Sequence, residues 1–185
     1  MSTGAIALLP GHGNRPGGWD PGARSPAGWD EADLVRQVAA AMFLELQRHH
    51  IPTEIVAVGS YAERGQDADA GAGTSLVVQL HIDASPEDVG PDRGAVYYWP
   101  SPPGHAAPGL PLAQALAAAL AAVVPWPVRV EEASEKWPGP RACLAAVRAT
   151  SVLLELGFTD GPRGQVELPR LAETIGKALA RALST

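Results

Sequence analysis

The stretch SLVVQLHI, Ser75–Ile82, is a nearly continuous apolar run of strand length. A run without regular polar alternation is typical of a strand that is covered on both faces in a parallel sheet. Two further runs of this kind occur in the chain, Ala5–Leu9 before it and Ser151–Leu156 after it. We therefore predict that these three segments are buried strands of one sheet.

The segments around these strands complete an alternation of strands and helices. Helices are predicted at 30–49, 61–71 and 112–124, with a closing helix whose inner stripe runs from 168 to 182. Further strands are predicted at 54–58, 94–99 and 128–131. Asp30 has the character of a helix N-cap, and Asp33 resembles the third residue of a capping box. The Gly- and Pro-rich segment from Gly11 to Trp29 is predicted to lack regular structure.

This alternation decides the fold class. Strands separated by helices of this length predict an α/β fold, with one largely parallel, twisted sheet of about six strands flanked by helices. A chain of 185 residues is long enough for one domain with a substantial core. We expect residues 1–185 to form a single domain.

Composition and charge exclude several classes of partner and site. The formal net charge of −6 argues against nucleic acid, whose phosphates attract basic surfaces. No apolar run approaches the roughly 20 residues that cross a bilayer, so membrane insertion is not expected. The first residues lack a basic region followed by an apolar stretch, so no signal peptide is expected. The single Cys143 excludes an intrachain disulfide and a thiolate-based zinc site.

Polar side chains occur where three of the predicted strands end. His12 follows the first strand, His81 ends the run LVVQLH, and Glu155 lies in the run VLLELGF. Open α/β sheets bind ligands at the carboxyl ends of their strands. Glu31 adds a carboxylate in the first turn of the first long helix. These four side chains could therefore converge at one edge of the sheet.

The residue types suit hydrolysis at a zinc ion. Two imidazoles and one carboxylate are a ligand set of hydrolytic zinc sites, which keep the fourth position for water. Zinc lowers the pKa of that water and polarises a substrate carbonyl. A second carboxylate that is not a ligand can take the proton of the water and pass it to the leaving nitrogen.

Each residue also has a structural interpretation when it is considered alone. A His at a strand end is often a hydrogen-bonded loop residue, and Glu31 could simply complement the helix dipole. Glu155 favours function more strongly, because an unpaired carboxylate in an apolar run is costly. Trp19 and Trp29 could stack on sugars, although anchoring of the loop or core packing is the simpler interpretation. Arg148 could contact a substrate, although a surface charge is the simpler interpretation.

Four local motifs in order resemble the zinc-dependent N-acetylmuramoyl-L-alanine amidases of the type-3 family. They are LLPGHGNRPGGWDPGA, then Glu31, then LHIDAS with the following GAVYYW, and finally LLELGFTD. The resemblance covers nearly the whole chain. Two departures are that Asp83 replaces the usual Asn after the second His, and that the segment before Ser75 keeps Arg64 but lacks the common Ala-Asn pair.

The resemblance implies a ligand set and a reaction. His12, Glu31 and His81 would hold one catalytic zinc ion, and Glu155 would be the general base and then the general acid. The substrate would be peptidoglycan, cleaved at the amide between N-acetylmuramic acid and L-alanine. Apart from the resemblance, the sequence shows no further module or repeat, so we expect a monomer without a separate wall-binding domain.

The place of action and two other functions stay open at this point. Because no signal peptide and no wall-binding module are recognised, a phage endolysin is expected, made in the host cytoplasm and reaching the cell wall at lysis. The alternative is a bacterial enzyme that acts in the periplasm or outside the cell. A zinc carboxypeptidase or small acyl-amino-acid amidohydrolase is the enzymatic alternative. A catalytically silent module that binds the cell wall is the alternative of another class.

Overall fold

A computed structural model describes residues 4–24, 28–70, 73–83, 94–99, 109–133, 144, 147, 149–158 and 168–183. The elements in chain order are β1 (Ala5–Pro10), β2 (Gly13–Arg15), β3 (Gly18–Asp20), α1 (Glu31–Arg48), β4 (Thr53–Ile55), α2 (Tyr61–Ala70), β5 (Thr74–Asp83), β6 (Gly94–Tyr98), α3 (Leu110–Ala121), β7 (Val128–Glu132), β8 (Thr150–Phe158) and α4 (Leu168–Leu183). In this part of the chain, no helix is long and apolar enough to cross a bilayer.

The main sheet has six strands in the order β4-β1-β5-β8-β6-β7. β4, β1, β5 and β8 run parallel to one another. β6 runs antiparallel to β8, and β7 is parallel to β6. The predicted α/β fold with a largely parallel sheet is therefore confirmed. Because β1, β5 and β8 run in the same direction, their carboxyl ends meet at one edge of the sheet, which we call the carboxyl edge.

Helices cover both faces of the sheet. On one face, α1, α3 and α4 enclose the main core, to which β5 contributes Leu76, Val78 and Leu80. On the other face, Val77 packs with Ala68 of α2 in a smaller cluster. Side chains alternate between the faces of a strand. This alternation places Gln79 and His81 on the same face as Val77, towards α2.

The prediction that the segment from Gly11 to Trp29 lacks regular structure is wrong for residues 13–20. β2 and β3 pair as an antiparallel hairpin, with Arg15 opposite Gly18. The turn between them is Pro16-Gly17, and Gly17 has a φ of 104°, which glycine adopts without strain. Strands of three residues without apolar alternation carry no periodic signal, so the hairpin could not be predicted from the pattern.

Two other predicted features differ in detail. The strand predicted at 54–58 is Thr53–Ile55, and Val58 makes only an isolated bridge to Asn14. Asp30 is the N-cap of α1, but its side chain does not cap the helix. Its carboxylate accepts a hydrogen bond from Arg24 Nε at 3.0 Å instead.

The first turn of α1 is held by backbone from the preceding loop. The N–H of Glu31 donates to the carbonyl of Ala23 at 2.8 Å, and the N–H of Ala32 donates to that of Pro21 at 3.0 Å. These bonds satisfy N–H groups that have no partner inside the helix. They also fix where Glu31 lies relative to the loop that carries His12.

Candidate active site

Three of the residues predicted as a site come together at the carboxyl edge. His12 lies in the turn after β1, Glu31 is the first residue of α1, and His81 lies near the end of β5. One ligand atom from each residue can be chosen so that all three atoms lie within 4.8 Å of one another. Residues that are far apart in sequence thus form one cluster of two imidazoles and a carboxylate.

Glu31 lies at the centre of this cluster. Its Oε1 lies 3.0 Å from His81 Nδ1 and accepts a hydrogen bond from the N–H of Ile82 at 3.1 Å. Its Oε2 lies 3.2 Å from His12 Nε2 and accepts a hydrogen bond from the N–H of Ala23 at 2.9 Å. Burial alone would raise the pKa of Glu31. The bond with His81, the two imidazoles and the Ala23 N–H outweigh it and lower that pKa below its ordinary value, so Glu31 is an anion at neutral pH.

Asp20 orients His12 from the other side of its ring. His12 Nδ1 lies 3.0 Å from Asp20 Oδ2, and Arg15 Nη2 lies 2.9 Å from the same oxygen. The other carboxylate oxygen accepts a hydrogen bond from the N–H of Gly22. Burial raises the pKa of Asp20, but the bonds from His12 and Gly22 lower it more. A carboxylate at Nδ1 selects the tautomer in which Nε2 is free to bind a metal.

Two glycines leave the room that the cluster needs. A Cβ at Gly11 would lie 2.6 Å from His81 Cε1. A Cβ at Gly22 would lie 2.6 Å from both Glu31 Oε2 and His12 Cδ2. Gly22 also has a φ of 69°, a conformation that other residues rarely adopt. At Gly11 and Gly22 the backbone therefore lies so close to the imidazoles and the carboxylate that no larger residue fits.

The cluster fits a zinc ion by donor chemistry and by spacing. Zinc lies about 2.0–2.2 Å from imidazole nitrogens and carboxylate oxygens, so ligand atoms around a tetrahedral ion are roughly 3.4 Å apart. With one ligand atom taken from each residue, all three lie within 4.8 Å of one another, so small side-chain shifts bring them to the spacing of one ion. An ionised carboxylate and a ring held by a second carboxylate are the forms in which these residues bind metal.

Glu155 lies next to this cluster on the neighbouring strand. It is the register partner of His81 across β5 and β8, and of Ala95 across β8 and β6. Registered residues of neighbouring strands project from the same face, and their strands are about 4.8 Å apart. The half-buried Glu155 therefore shares the face of His81. Two residues later, a Cβ at Gly157 would lie 2.5 Å from the Trp126 ring, so this position also requires glycine.

Tyr61 is a residue at the site that sequence reasoning did not identify. Its ring centroid lies 6.2 Å from that of His12 and 5.8 Å from that of His81. Its hydroxyl accepts a hydrogen bond from the His12 N–H at 3.4 Å, and the Arg15 guanidinium lies 4.4 Å from its ring centroid. Its position as the first residue of a short helix gave no signal of this role. Asp20 did have a signal, because it begins DPGA, the last four residues of the motif LLPGHGNRPGGWDPGA.

The two loop tryptophans are exposed. Trp19 is 44% exposed and Trp29 is 56% exposed, so core packing is excluded for both. The guanidinium of Arg36 lies 4.5 Å from the Trp19 ring centroid. Arg148 lies outside the described residues.

Comparison with known proteins agrees with this architecture. Three of the similar solved structures illustrate this, and each is similar over nearly its whole length. The amidase AmiC2 of Nostoc punctiforme is 18% identical, with a TM-score of 0.75, over 100% of this chain and 97% of that one. The catalytic domain of CwlV, an amidase from Bacillus (Paenibacillus) polymyxa, is 14% identical, with a TM-score of 0.78, over 98% of each chain. The catalytic domain of the CD27L endolysin, which targets Clostridia difficile, is 16% identical, with a TM-score of 0.74, over 96% of this chain and 97% of that one.

The family follows from a sequence model rather than from these structures, whose low identities establish the fold alone. No curated protein matches the chain at a significant level. The model described as N-acetylmuramoyl-L-alanine amidase matches residues 6–185, which include the whole carboxyl edge. The chain therefore belongs to the N-acetylmuramoyl-L-alanine amidase family.

Proposed function

We propose that this protein hydrolyses the amide bond between N-acetylmuramic acid and L-alanine in peptidoglycan, with a zinc ion held by His12, Glu31 and His81. Family membership supports the reaction class. The observation that carries the proposal is the cluster of two imidazoles and one carboxylate at the carboxyl edge, with Glu155 on the adjacent strand. Such a set leaves one coordination position of zinc for water or substrate.

The protein residues divide the work between binding and proton transfer. A bound zinc ion would supply Lewis acidity, which polarises the substrate carbonyl and makes water more acidic. Glu155 accepts the proton of the attacking water on its carboxylate and later donates it to the leaving nitrogen. Asp20 keeps the His12 ring in the orientation for binding, and the N–H groups of Ala23 and Ile82 hold the Glu31 carboxylate.

The test is product analysis after incubation of the zinc-loaded protein with purified peptidoglycan. Mass spectrometry should find stem peptides with a free L-alanine amino group and glycan strands without peptides, and a chelator should abolish both products. Intact peptidoglycan beside zinc-loaded protein would contradict the substrate assignment. In that case, cleavage of small acyl-amino acids would favour the second enzymatic alternative, and co-sedimentation without cleavage would favour a wall-binding module.

We propose further that the chain acts as a monomeric single catalytic domain, and that it is an endolysin. The similarity to the endolysin catalytic domain supports this role, although the other similar structures are amidases that are not named as endolysins. An endolysin should clear suspensions of whole susceptible cells when it is added from outside. Release of products from purified sacculi without clearing of any whole cells would instead favour a bacterial enzyme of the periplasm or cell exterior.

A further inference from the structure

Arg64 of α2 is a buried arginine that contacts the backbone of the His12 turn. The residue is only 1% exposed. Nη1 donates to the carbonyl of Pro10 at 2.6 Å, and Nη2 donates to those of His12 at 2.7 Å and Asn14 at 3.3 Å. Nε donates to the carbonyl of Gly59 at 2.8 Å. The guanidinium thus joins the turn after β1 to the loop that precedes α2.

The three carbonyls of the turn belong to Pro10, His12 and Asn14, so the guanidinium holds the backbone at His12 and on both sides of it. His12 has a φ of 57°, in the left-handed region that a residue with a Cβ enters at a cost. That conformation directs the ring towards Glu31 and Asp20. Tyr61, one turn before Arg64 in α2, accepts a hydrogen bond from the His12 N–H. Both backbone polar groups of His12 are therefore held by α2.

We infer that Arg64 is a positioning residue, which holds the His12 turn in the conformation that presents Nε2 to the metal. The inference rests on the proposed metal site. Arg64 contributes no ligand atom to the cluster, but a turn that is already ordered loses less conformational entropy when the metal binds. A planar fork of donors suits this task because it reaches several carbonyls at fixed angles, which the single ammonium of lysine does not.

If Arg64 were purely structural, its replacement would lower stability without a specific effect on zinc binding. Measuring stability and zinc affinity separately distinguishes the two roles. Arg64→Ala and Arg64→Lys are compared with Leu116→Ala, a fully buried residue of α3 on the opposite face of the sheet. Zinc affinity is measured by competition with a fluorescent chelator, and stability by urea unfolding of the metal-free protein. We expect Arg64→Ala to weaken zinc binding about 10- to 100-fold, as loss of groups that orient ligands does.

The variants separate positioning from general destabilisation. Arg64→Lys should recover only part of the affinity, whereas Leu116→Ala should lose stability and keep the wild-type affinity. Equal affinities for Arg64→Ala and wild type would overturn the inference. So would a loss in Leu116→Ala as large as that in Arg64→Ala. If Arg64→Ala does not fold, Arg64→Lys is compared with Leu116→Ala in the same way and decides the question.

Amide hydrogen exchange gives a second readout that needs neither metal nor hydrolysis. In the metal-free protein, the amides of residues 11–14 should exchange faster in the Arg64 variants, while those of β8 stay protected. Unchanged exchange in the turn would overturn the inference. Wild-type protein that binds zinc but leaves peptidoglycan intact would contradict only the proposed function. Wild-type protein that binds no zinc would overturn both.

Discussion

A continuous series of contacting polar groups runs through the site, from Arg15 through Asp20, His12 and Glu31 to His81. Each link is 2.9–3.2 Å between the nearest nitrogen and oxygen. Because each group fixes the orientation of the next, the site depends on residues that would not touch a metal. The site also requires glycine at positions 11 and 22, because a Cβ at either position would strike the proposed ligands. At the residue scale, the geometry of the site therefore rests as much on space and orientation as on the identity of the ligands.

Glu155→Gln tests the division between binding and proton transfer. Glutamine has nearly the same shape but cannot take a proton from water, so the variant should fold and retain zinc. Hydrolysis should fall by about 10²- to 10⁴-fold, the usual contribution of a general acid or base. Metal analysis after dialysis and mass spectrometry of released peptides check the two parts. Unchanged turnover would contradict the role assigned to Glu155.

Gly22→Ala tests the space around the ligands, and Gly17→Ala is its matched control. Both glycines have positive φ, at 69° and 104°. Only at Gly22 would the added Cβ strike Glu31 and His12, whereas nothing lies within 4 Å of a Cβ at Gly17. Both variants should lose about 1–2 kcal/mol from backbone strain, but only Gly22→Ala should lose zinc affinity. Equal affinities in a chelator competition would show that this space is not required.

At the scale of elements, α1 joins the site to the rest of the fold. Its first residue is Glu31, and its last turns pack on α4, where a Cβ at Gly176 would lie 3.0 Å from Glu45 Cβ. Glu45 accepts a hydrogen bond from Arg48 at 2.8 Å and lies 3.2 Å from His49 Nε2. The hydrogen bond from Arg48 lowers the pKa of Glu45 more than burial raises it, and His49 lowers it further.

Glu45→Gln should therefore have an effect on stability that depends on pH. A carboxylate whose pKa is depressed by folding stabilises the folded state above its unfolded pKa, which is about 4.3 for Glu. That stabilisation is lost as the pH falls below this value and through the lower folded pKa. At pH 7 the variant should lose about 0.5 kcal/mol, because Arg48 is exposed and screened by solvent. Urea unfolding from pH 7 to 3 should show the difference between wild type and variant disappear, and a difference independent of pH would contradict the assignment.

Local pattern predicted the elements better than their connections. The helix over 30–49 corresponds to α1, because apolar residues at helical spacing must face a core. Asp30 is the N-cap, as the pattern predicts. Its side chain, however, binds Arg24 and not the backbone of the first helical turn. The β2–β3 hairpin was missed because its three-residue strands depend on pairing and not on apolar alternation.

At the scale of the whole molecule, the proposed ligands come from three different elements of the fold. A metal at this point would connect the end of β1, the start of α1 and the end of β5. A ligand that binds only the folded state stabilises it according to its free concentration and its dissociation constant. We expect the sheet to fold without the metal, because its main core packs on the face opposite His81.

Removal of zinc should therefore lower stability without unfolding the protein. Zinc at 100 times its dissociation constant should add about 2.7 kcal/mol to wild type. His81→Ala should show almost none of this gain, because one of its three ligands is missing. Thermal unfolding with added zinc and with added chelator measures both. An equal shift in wild type and His81→Ala would contradict the ligand set.

The sequence by itself determined the fold class, because long apolar runs must be buried strands and helical spacing must place a face against a core. It also determined the four candidate side chains, since their residue types and positions at strand ends or in a helical first turn can be read locally. Only the tertiary structure decided which groups orient them. Arg64 reaches the carbonyl of His12 across 52 positions, and Tyr61 reaches its N–H across 49. Contacts of this kind arise from the packing of α2 beside β1, and no local pattern encodes them.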